Sequence, residues 1–340
     1  MTLPAAPAVR KEETMTLPQE PPLDLLVHRM TWEAEEVLSV ELTHPEGKPL
    51  PAWEPGAHLD LHTGGQIRQY SLCGDPADTG RYRIAVLNEP SSRGGSRHVH
   101  TVLRPGATVT VKGPRNHFAL AEAPRYVFLA GGIGITPVLA QVREAAARGA
   151  GWTLWHGGRT ARSMAFGAEL TRLADACPTG TVHFRPQDRD GHLDIPAALD
   201  GVVPGDGTLV YCCGPEPLLA AVEEACATRG LGGQLRLERF AAVPVAAPPG
   251  GESGFEVECA RSGVTVTVGP DEAVVDALER SGVQVETSCR DGICGTCETR
   301  VLGGVPDHRD MLLSTEEQAA GRTMMVCVSR CASNRLVLDL

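Results

Sequence analysis

Ser288-Cys-Arg-Asp-Gly-Ile-Cys-Gly-Thr-Cys297 places three cysteines, Cys289, Cys294 and Cys297, within nine residues, and a fourth, Cys327, follows after 29 more. C-x4-C-x2-C with one distant cysteine is the spacing of the loop around a plant-type [2Fe–2S] cluster. Gly292 and Gly295 fall between the ligands, where a chain turning tightly around a sulfide-bearing core needs residues without Cβ. A structural zinc site would pair two short cysteine or histidine units, and only Cys331 could begin a second one here. The spacing favours the four cysteines as ligands of a one-electron carrier, ahead of zinc and of coincidence.

Working outward, residues 241–253 (AAVPVAAPPGGES) are small residues, prolines and glycines without periodicity, the composition of a linker. The cluster segment, 254–340, is therefore expected to be a separate unit. Residues 1–22 are rich in Pro, Ala and Glu and repeat MTLP at positions 1 and 15. They read as a disordered leader, and translation could start at Met1 or Met15. Residues 23–122 carry short β-patterned runs (VLSVEL, HLDLHT, QIRQYSL, RYRIAVL, ATVTVKG) between Gly- and Pro-bearing turns, which predicts an antiparallel β-barrel. From 123 to 240, apolar strands (YVFLA, WTLWH, TVHFR, TLVYCC, QLRLERF) alternate with helical patterns such as VLAQVREAAARG. That alternation predicts an α/β unit with a parallel sheet.

Composition narrows the classes. A chain of 340 residues suits two or three domains. A net charge of −11 argues against nucleic acid as a partner, since that needs a basic face. After four ligands, seven of the 11 cysteines remain, a scattered odd number that reads as reduced thiols in the cytoplasm rather than a disulfide framework. The apolar stretch 126–142 (YVFLAGGIGITPVLAQV) holds three glycines and a proline and reads as strand–turn–helix rather than a membrane span.

That turn, Gly131-Gly-Ile-Gly-Ile-Thr-Pro137, joins a strand to a helix, where a pyrophosphate can approach the backbone. Its third position is Pro137, not the glycine of G-x-G-x-x-G. Tyr211-Cys-Cys-Gly-Pro215 ends a later strand of the same unit, so both turns should face one crevice. Cys212 and Cys213 point to opposite faces, and Cys213 is the better candidate to touch a ligand, against the alternative of a buried inert thiol. In the barrel, Arg68-Gln-Tyr-Ser-Leu72 offers a cation, a ring and a hydroxyl, and Ser92-Arg-Gly-Gly-Ser-Arg97 precedes a helical stretch, HVHTVL. The first would suit a flavin and the second a phosphate; alone, each reads equally as core strand and capped loop. His58, His98 and His156 have no metal-like spacing and are taken as structural or ligand-edge residues.

Together these segments resemble the phthalate dioxygenase reductase family, close to the vanillate demethylase reductases. The likeness runs from about residue 23 to 340 and includes Pro55-Gly-Ala-His58, RQYSL (68–72), RGGSR (93–97), GPRNHF (113–118), GGIGITP (131–137), CGP (213–215), ERF (238–240) and the four cysteines. It implies a multidomain chain: an antiparallel β-barrel flavin domain, an α/β parallel-sheet nicotinamide domain and an α+β β-grasp ferredoxin domain. It implies FMN rather than FAD, held by Arg68, Gln69, Tyr70, Ser71 and Val86, with Gly94, Gly95, Ser96 and Arg97 at the phosphate. Gly132, Gly134, Cys213, Gly214 and Pro215 would bind NADH, with Thr136 near the flavin–nicotinamide junction and Pro137 also cofactor-binding. Ser71, Cys213 and Phe240 would flank the hydride-transfer site, with no acid–base triad. Arg159, after the second strand of that unit, could accept a 2′-phosphate, which keeps NADPH open.

The resulting expectation is an NADH-dependent reductase that passes electrons through FMN and the cluster to a terminal oxygenase, Rieske-type first and haem-thiolate monooxygenase second. A monomer without membrane attachment is expected. The 14 acidic and eight basic residues of 254–340 could steer that unit to a basic acceptor, or merely keep it soluble. The alternatives are direct reduction of ferric chelates or quinones and, after them, a non-catalytic redox or iron sensor, for which the nicotinamide and flavin motifs would be superfluous.

Overall fold

The computed structural model describes residues 21–90, 94–241 and 253–340. Nearly all of the expected leader, Arg93 and nearly all of the expected linker lie outside the described residues. β1 (Leu23–Ala34), β2 (Val37–Thr43), β3 (Ala57–Thr63), β4 (Gln66–Ser71), β5 (Tyr82–Leu87) and β6 (Thr108–Asn116) form one antiparallel sheet, with α1 (Gly95–Thr101) between β5 and β6. The strand order is β4-β3-β6-β1-β2-β5, and a bridge between Leu72 and Ile84 brings its two edges together. Alternating side chains point inward, so Leu25, Val27, Val40, Leu42, Leu59, Leu61 and Ile84 fill a buried core. The sequence pattern misses β1. LDLLVHRMTWEA carries Arg29 and Glu33 and shifts register twice along β2, which breaks the alternation. The helix expected at HVHTVL begins three residues earlier, at Gly95.

The second unit comprises β7 (Arg125–Gly131), α2 (Ile135–Ala147), β8 (Gly151–Gly158), α3 (Gly167–Ala176), β9 (Gly180–Pro186), the one-turn helices α4 (Gln187–Asp190) and α5 (Ile195–Ala198), β10 (Thr208–Cys213), α6 (Glu216–Thr228) and β11 (Leu235–Glu238). All five strands are parallel, in the order β11-β10-β7-β8-β9. Such a sheet is buried on both faces. Tyr126, Phe128, Tyr211 and Cys213 pack to one side, Val127, Leu129, Val210 and Cys212 to the other. The chain reverses direction across the sheet between β7 and β10, the switch point where open α/β sheets form a crevice. The strand expected at QLRLERF stops at Glu238, leaving Arg239 and Phe240 beyond it.

The first two units share a core. Ala34, Val37, Cys73 and Ala85 of the barrel pack with Ile135, Val138 and Val142 of α2. Arg143 donates to the Cys73 carbonyl at 3.0 Å, and Arg83 pairs with Glu169 at 3.0 Å.

The third unit contains β12 (Phe255–Cys259), β13 (Val264–Val268), α7 (Val274–Arg280), β14 (Glu298–Gly303), β15 (Pro306–Asp307), α8 (Thr315–Ala320), β16 (Thr323–Met325), β17 (Arg330–Cys331) and β18 (Arg335–Leu338). Its main sheet runs β13-β12-β18-β14-β16, with β12 and β18 parallel and the other pairs antiparallel. Val274, Val275, Ala277 and Leu278 bury one face of α7 in its core. Among the described residues, no helix is long and apolar enough to cross a membrane.

Candidate functional site

Residues 281–297 run from α7 to β14 without regular structure, and the cysteine loop lies there. All four thiols are buried, with Cys289 5% and Cys327 6% exposed and the other two less. They sort into pairs. Cys297 Sγ is 3.0 Å from Cys327 Sγ, and Cys289 is hydrogen-bonded to Cys294. No group of three or more His, Cys, Asp or Glu shaped for a single metal ion is found among the described residues. Cys289 with Cys294, and Cys297 with Cys327, would supply two thiolates to each iron of a two-iron core. Within each pair the hydrogen bond favours one thiolate and holds the proton of the other, pushing Cys289 and Cys297 up, whereas a bound metal requires all four ionised. The bond from Cys289 brings Cys294 down to about 6, and Cys297 lowers Cys327.

The loop's backbone is tight where its glycines stand. Gly292 has φ +71°, and a Cβ there would lie 2.6 Å from Val328 Cγ2. Arg290 has φ +58°, an uncommon conformation for a residue with a side chain. It is tied to α7 by bonds to Asp276 at 2.8 Å and Glu279 at 2.7 Å.

At the switch point, the two sequence turns do meet. A Cβ on Gly131 would lie 2.7 Å from Pro215 Cδ, and one on Gly134 would lie 2.3 Å from the Cys213 carbonyl oxygen. Only glycine lets these segments approach so closely. Gly132 has φ +55° with open space beside it, a backbone face that fits a pyrophosphate. Thr136 is buried and its hydroxyl donates to the Ile133 carbonyl at 3.0 Å; Pro137 sits in the first turn of α2. Phe240 is 42% exposed beyond β11. Arg159 is exposed after β8, and its carbonyl accepts the Asp188 N–H at 3.1 Å.

On the barrel, the two flavin-like segments are adjacent. A Cβ on Gly95 would lie 2.7 Å from Arg68 Cγ, so β4 and the start of α1 pack without a side chain between them. Arg68 donates to the Ile67 carbonyl at 2.7 Å and to Gln66. Gly94 caps α1 with φ +113°, Ser96 Oγ accepts the Glu89 N–H at 3.3 Å, and Arg97 is exposed. Burial pushes the Tyr70 phenol up to about 12, so the ring stays neutral. Ser71 is buried at the end of β4. Val86 lies with its side chain in the barrel core, and its carbonyl lies 2.9 Å from His100 Nε2.

Other residues at these sites went unread in the sequence. Glu238, ending β11, faces Cys213, whose Sγ lies 3.8 Å from Glu238 Oε2. Burial raises the Glu238 carboxyl from 4.5 to about 8. The ERF motif contained it, but only the parallel pairing of β10 with β11 sets it opposite Cys213. Asp60, Arg115 and His117 line the contact between barrel and cysteine loop. Arg115 Nη2 reaches Thr296 Oγ1 at 3.2 Å, and Lys112 pairs with Glu286. His58 is held near 4 by burial, with Arg115 and His117 adding to the shift, and burial likewise lowers His156 to about 4. Both are neutral structural imidazoles.

Residues 257–332 match the 2Fe-2S iron-sulfur cluster binding domain, and 128–224 match the oxidoreductase NAD-binding domain. The phenoxybenzoate dioxygenase subunit beta of Ectopseudomonas oleovorans is 45% identical over 323 residues, 94% of this chain and 98% of that one. A phthalate dioxygenase reductase, described as a modular structure for electron transfer from pyridine nucleotides to [2Fe-2S], superposes with a TM-score of 0.67 at 35% identity, over 94% of this chain and 98% of its own. An intact type IV self-sufficient cytochrome P450 monooxygenase superposes with a TM-score of 0.86 at 43% identity, over 94% of this chain but 41% of its own.

Proposed function

This chain belongs to the family of oxygenase reductases that includes phthalate dioxygenase reductase, and from that premise we propose the route its electrons take: from NADH to an FMN on the barrel, to the cluster on Cys289, Cys294, Cys297 and Cys327, and out to a separate terminal oxygenase. The enzyme is an oxidoreductase with an NAD-binding domain and a [2Fe–2S] domain. One observation carries the internal route. The cysteine loop lies directly against the barrel that bears Arg68 and Tyr70, through Lys112–Glu286 and Arg115–Thr296.

A bound flavin supplies the conversion between a two-electron hydride donor and a one-electron acceptor. Oxidation of one NADH to NAD+ and a proton would supply two electrons, to be passed one at a time through the single cluster that Cys289, Cys294, Cys297 and Cys327 would hold. The chain's own residues bind and position. Arg68, Gln69, Tyr70 and Ser71 would hold the ring system, and Gly94, Gly95, Ser96 and Arg97 the phosphate of FMN. Gly132, Gly134, Thr136, Pro137, Gly214 and Pro215 would hold the dinucleotide, with Cys213 and Phe240 beside the reacting carbon. The family likeness favours NADH over NADPH as the donor in this reading, with Arg159 the residue that a 2′-phosphate would meet. The working units are 23–122, 123–240 and 254–340, in a monomer.

A Rieske-type oxygenase is the acceptor we favour. This chain spans 98% of the dioxygenase subunit it resembles and 98% of phthalate dioxygenase reductase, so those chains have little length left for an oxygenase of their own. The haem-thiolate reading draws on the P450 chain, in which the matching part is 41% of the length. All 11 cysteines are free of disulfides, which fits a cytoplasmic protein. The test is NADH-driven reduction of ferricyanide by the purified protein, then of a Rieske oxygenase with and without the Cys294→Ser change. Oxygenase reduction that survives loss of the cluster would sink this route and favour direct transfer from the flavin.

A further inference from the structure

Asp60 lies in β3 with 1% of its surface exposed. A carboxylate there is costly unless it is paired, and its partners are instructive. It accepts from Gln69 Nε2 at 2.8 Å and pairs with Arg115 Nη2 at 2.5 Å. Neither donor ends at Asp60. Gln69 Nε2 also bonds Ser288 Oγ, the residue before Cys289. Arg115 Nη2 also donates to Thr296 Oγ1 at 3.2 Å, and that hydroxyl lies 3.2 Å from Cys294 Sγ. One buried carboxylate thus orients two donors that grip the cysteine loop before its first cysteine and between its second and third. Gly295 closes the contact, since a Cβ there would lie 3.0 Å from His117 Nε2. Arg115 and His117 belong to the GPRNHF segment, which the flavin and nicotinamide sites leave without a task.

We propose that Asp60 and Arg115 form a positioning clamp that fixes the cysteine loop against the barrel for transfer from flavin to cluster. The proposal rests on the route given above. Asp60 orients the guanidinium, Arg115 holds Thr296, and the loop is registered with the barrel through that hydroxyl. The clamp acts only on the second leg, one electron leaving the reduced flavin and one oxidised cluster accepting it, and not on hydride transfer from NADH.

The test is stopped-flow reduction of the full-length protein, with flavin and cluster, by NADH. In Arg115→Gln and in Thr296→Val, flavin bleaching should stay within roughly twofold of the parent, while cluster reduction slows by about tenfold or more. The double variant should be no slower than Arg115→Gln alone, because both remove one contact. Backbone amides of 286–297 should exchange faster in both variants, a readout independent of turnover. An unchanged cluster phase, equal slowing of both phases, or multiplicative slowing in the double variant would overturn the clamp. Should Arg115→Gln lose its cluster, Thr296→Val, which leaves the Asp60–Arg115 pair in place, decides the matter. A parent protein whose cluster is never reduced after its flavin would instead refute the route.

Discussion

Cys213 Sγ points at Glu238 Oε2 across 3.8 Å, from the carboxyl ends of two neighbouring parallel strands. Glu238 keeps part of its surface exposed, yet the protein around its carboxyl raises it to about 8. Near neutrality it is therefore mostly a neutral acid, its Oε2 accepting from the Cys213 thiol, which burial keeps protonated.

The linkage to stability has a definite sign. Between 4.5 and about 8 the unfolded carboxyl is ionised while the folded one keeps its proton, so the folded state binds more protons. This contribution is most favourable below 4.5 and is lost as the pH rises through 8. Urea midpoints measured at pH 5 and pH 8 should differ more in the parent than in Glu238→Gln. An equal pH dependence in both would remove the assignment.

Gly134→Ala should disrupt the nicotinamide crevice. The new Cβ would lie 2.3 Å from the Cys213 carbonyl oxygen and 2.8 Å from the Gly214 nitrogen, and neither backbone atom can swing away. Overpacking of this kind costs about 1–3 kcal/mol or more. We expect a lower unfolding midpoint in denaturant and weaker NADH binding, with cluster absorbance retained. Binding as tight as in the parent would show that the turn is not the dinucleotide cradle.

Cys289→Ser should abolish the cluster while leaving flavin reduction by NADH nearly intact. Cys289 lies in the loop after α7 of the third unit, whose core holds Cys297 and Cys327, and the nicotinamide crevice belongs to the second unit. Iron content and anaerobic bleaching of the flavin report the two separately. Their joint loss would contradict independent folding of the cluster unit.

Arg68→Ala should weaken flavin retention more than cluster content. Arg68 fills the space beside Gly95, so truncation removes both a cation and the packing that sets α1 against β4. Chromatography of the released flavin, which separates FMN from FAD, can be run on the same samples along with iron analysis. Equal losses of flavin and iron would point to general unfolding.

Chemistry that depends on spacing was legible in the sequence, and chemistry that depends on pairing between distant segments was not. The four cysteines, the Gly131–Gly134 turn and the alternation of strand and helix are local patterns, and each appears where the pattern places it. Glu238 escaped notice because its meaning lies in the register that sets it beside Cys213. Asp60 was invisible for a similar reason, since HLDLHT reads as half-polar strand until the cysteine loop comes to rest beside it. Two family segments had no task in the sequence. Pro55-Gly-Ala-His58 and GPRNHF explain each other: a Cβ on Gly56 would lie 2.0 Å from the Phe118 carbonyl oxygen, and Asn116 Nδ2 donates to the Pro55 carbonyl at 3.1 Å.

The grip of the barrel on its own cysteine loop, through Lys112–Glu286 and Arg115–Thr296, also fixes a kinetic order. Two sites joined in one chain meet at an effective concentration set by their connection, not by how much protein is present. Passage of electrons inside this molecule is then unimolecular and unaffected by dilution, whereas delivery to a separate oxygenase remains a bimolecular encounter. Diluting the protein should leave the internal steps at full speed and slow only the export.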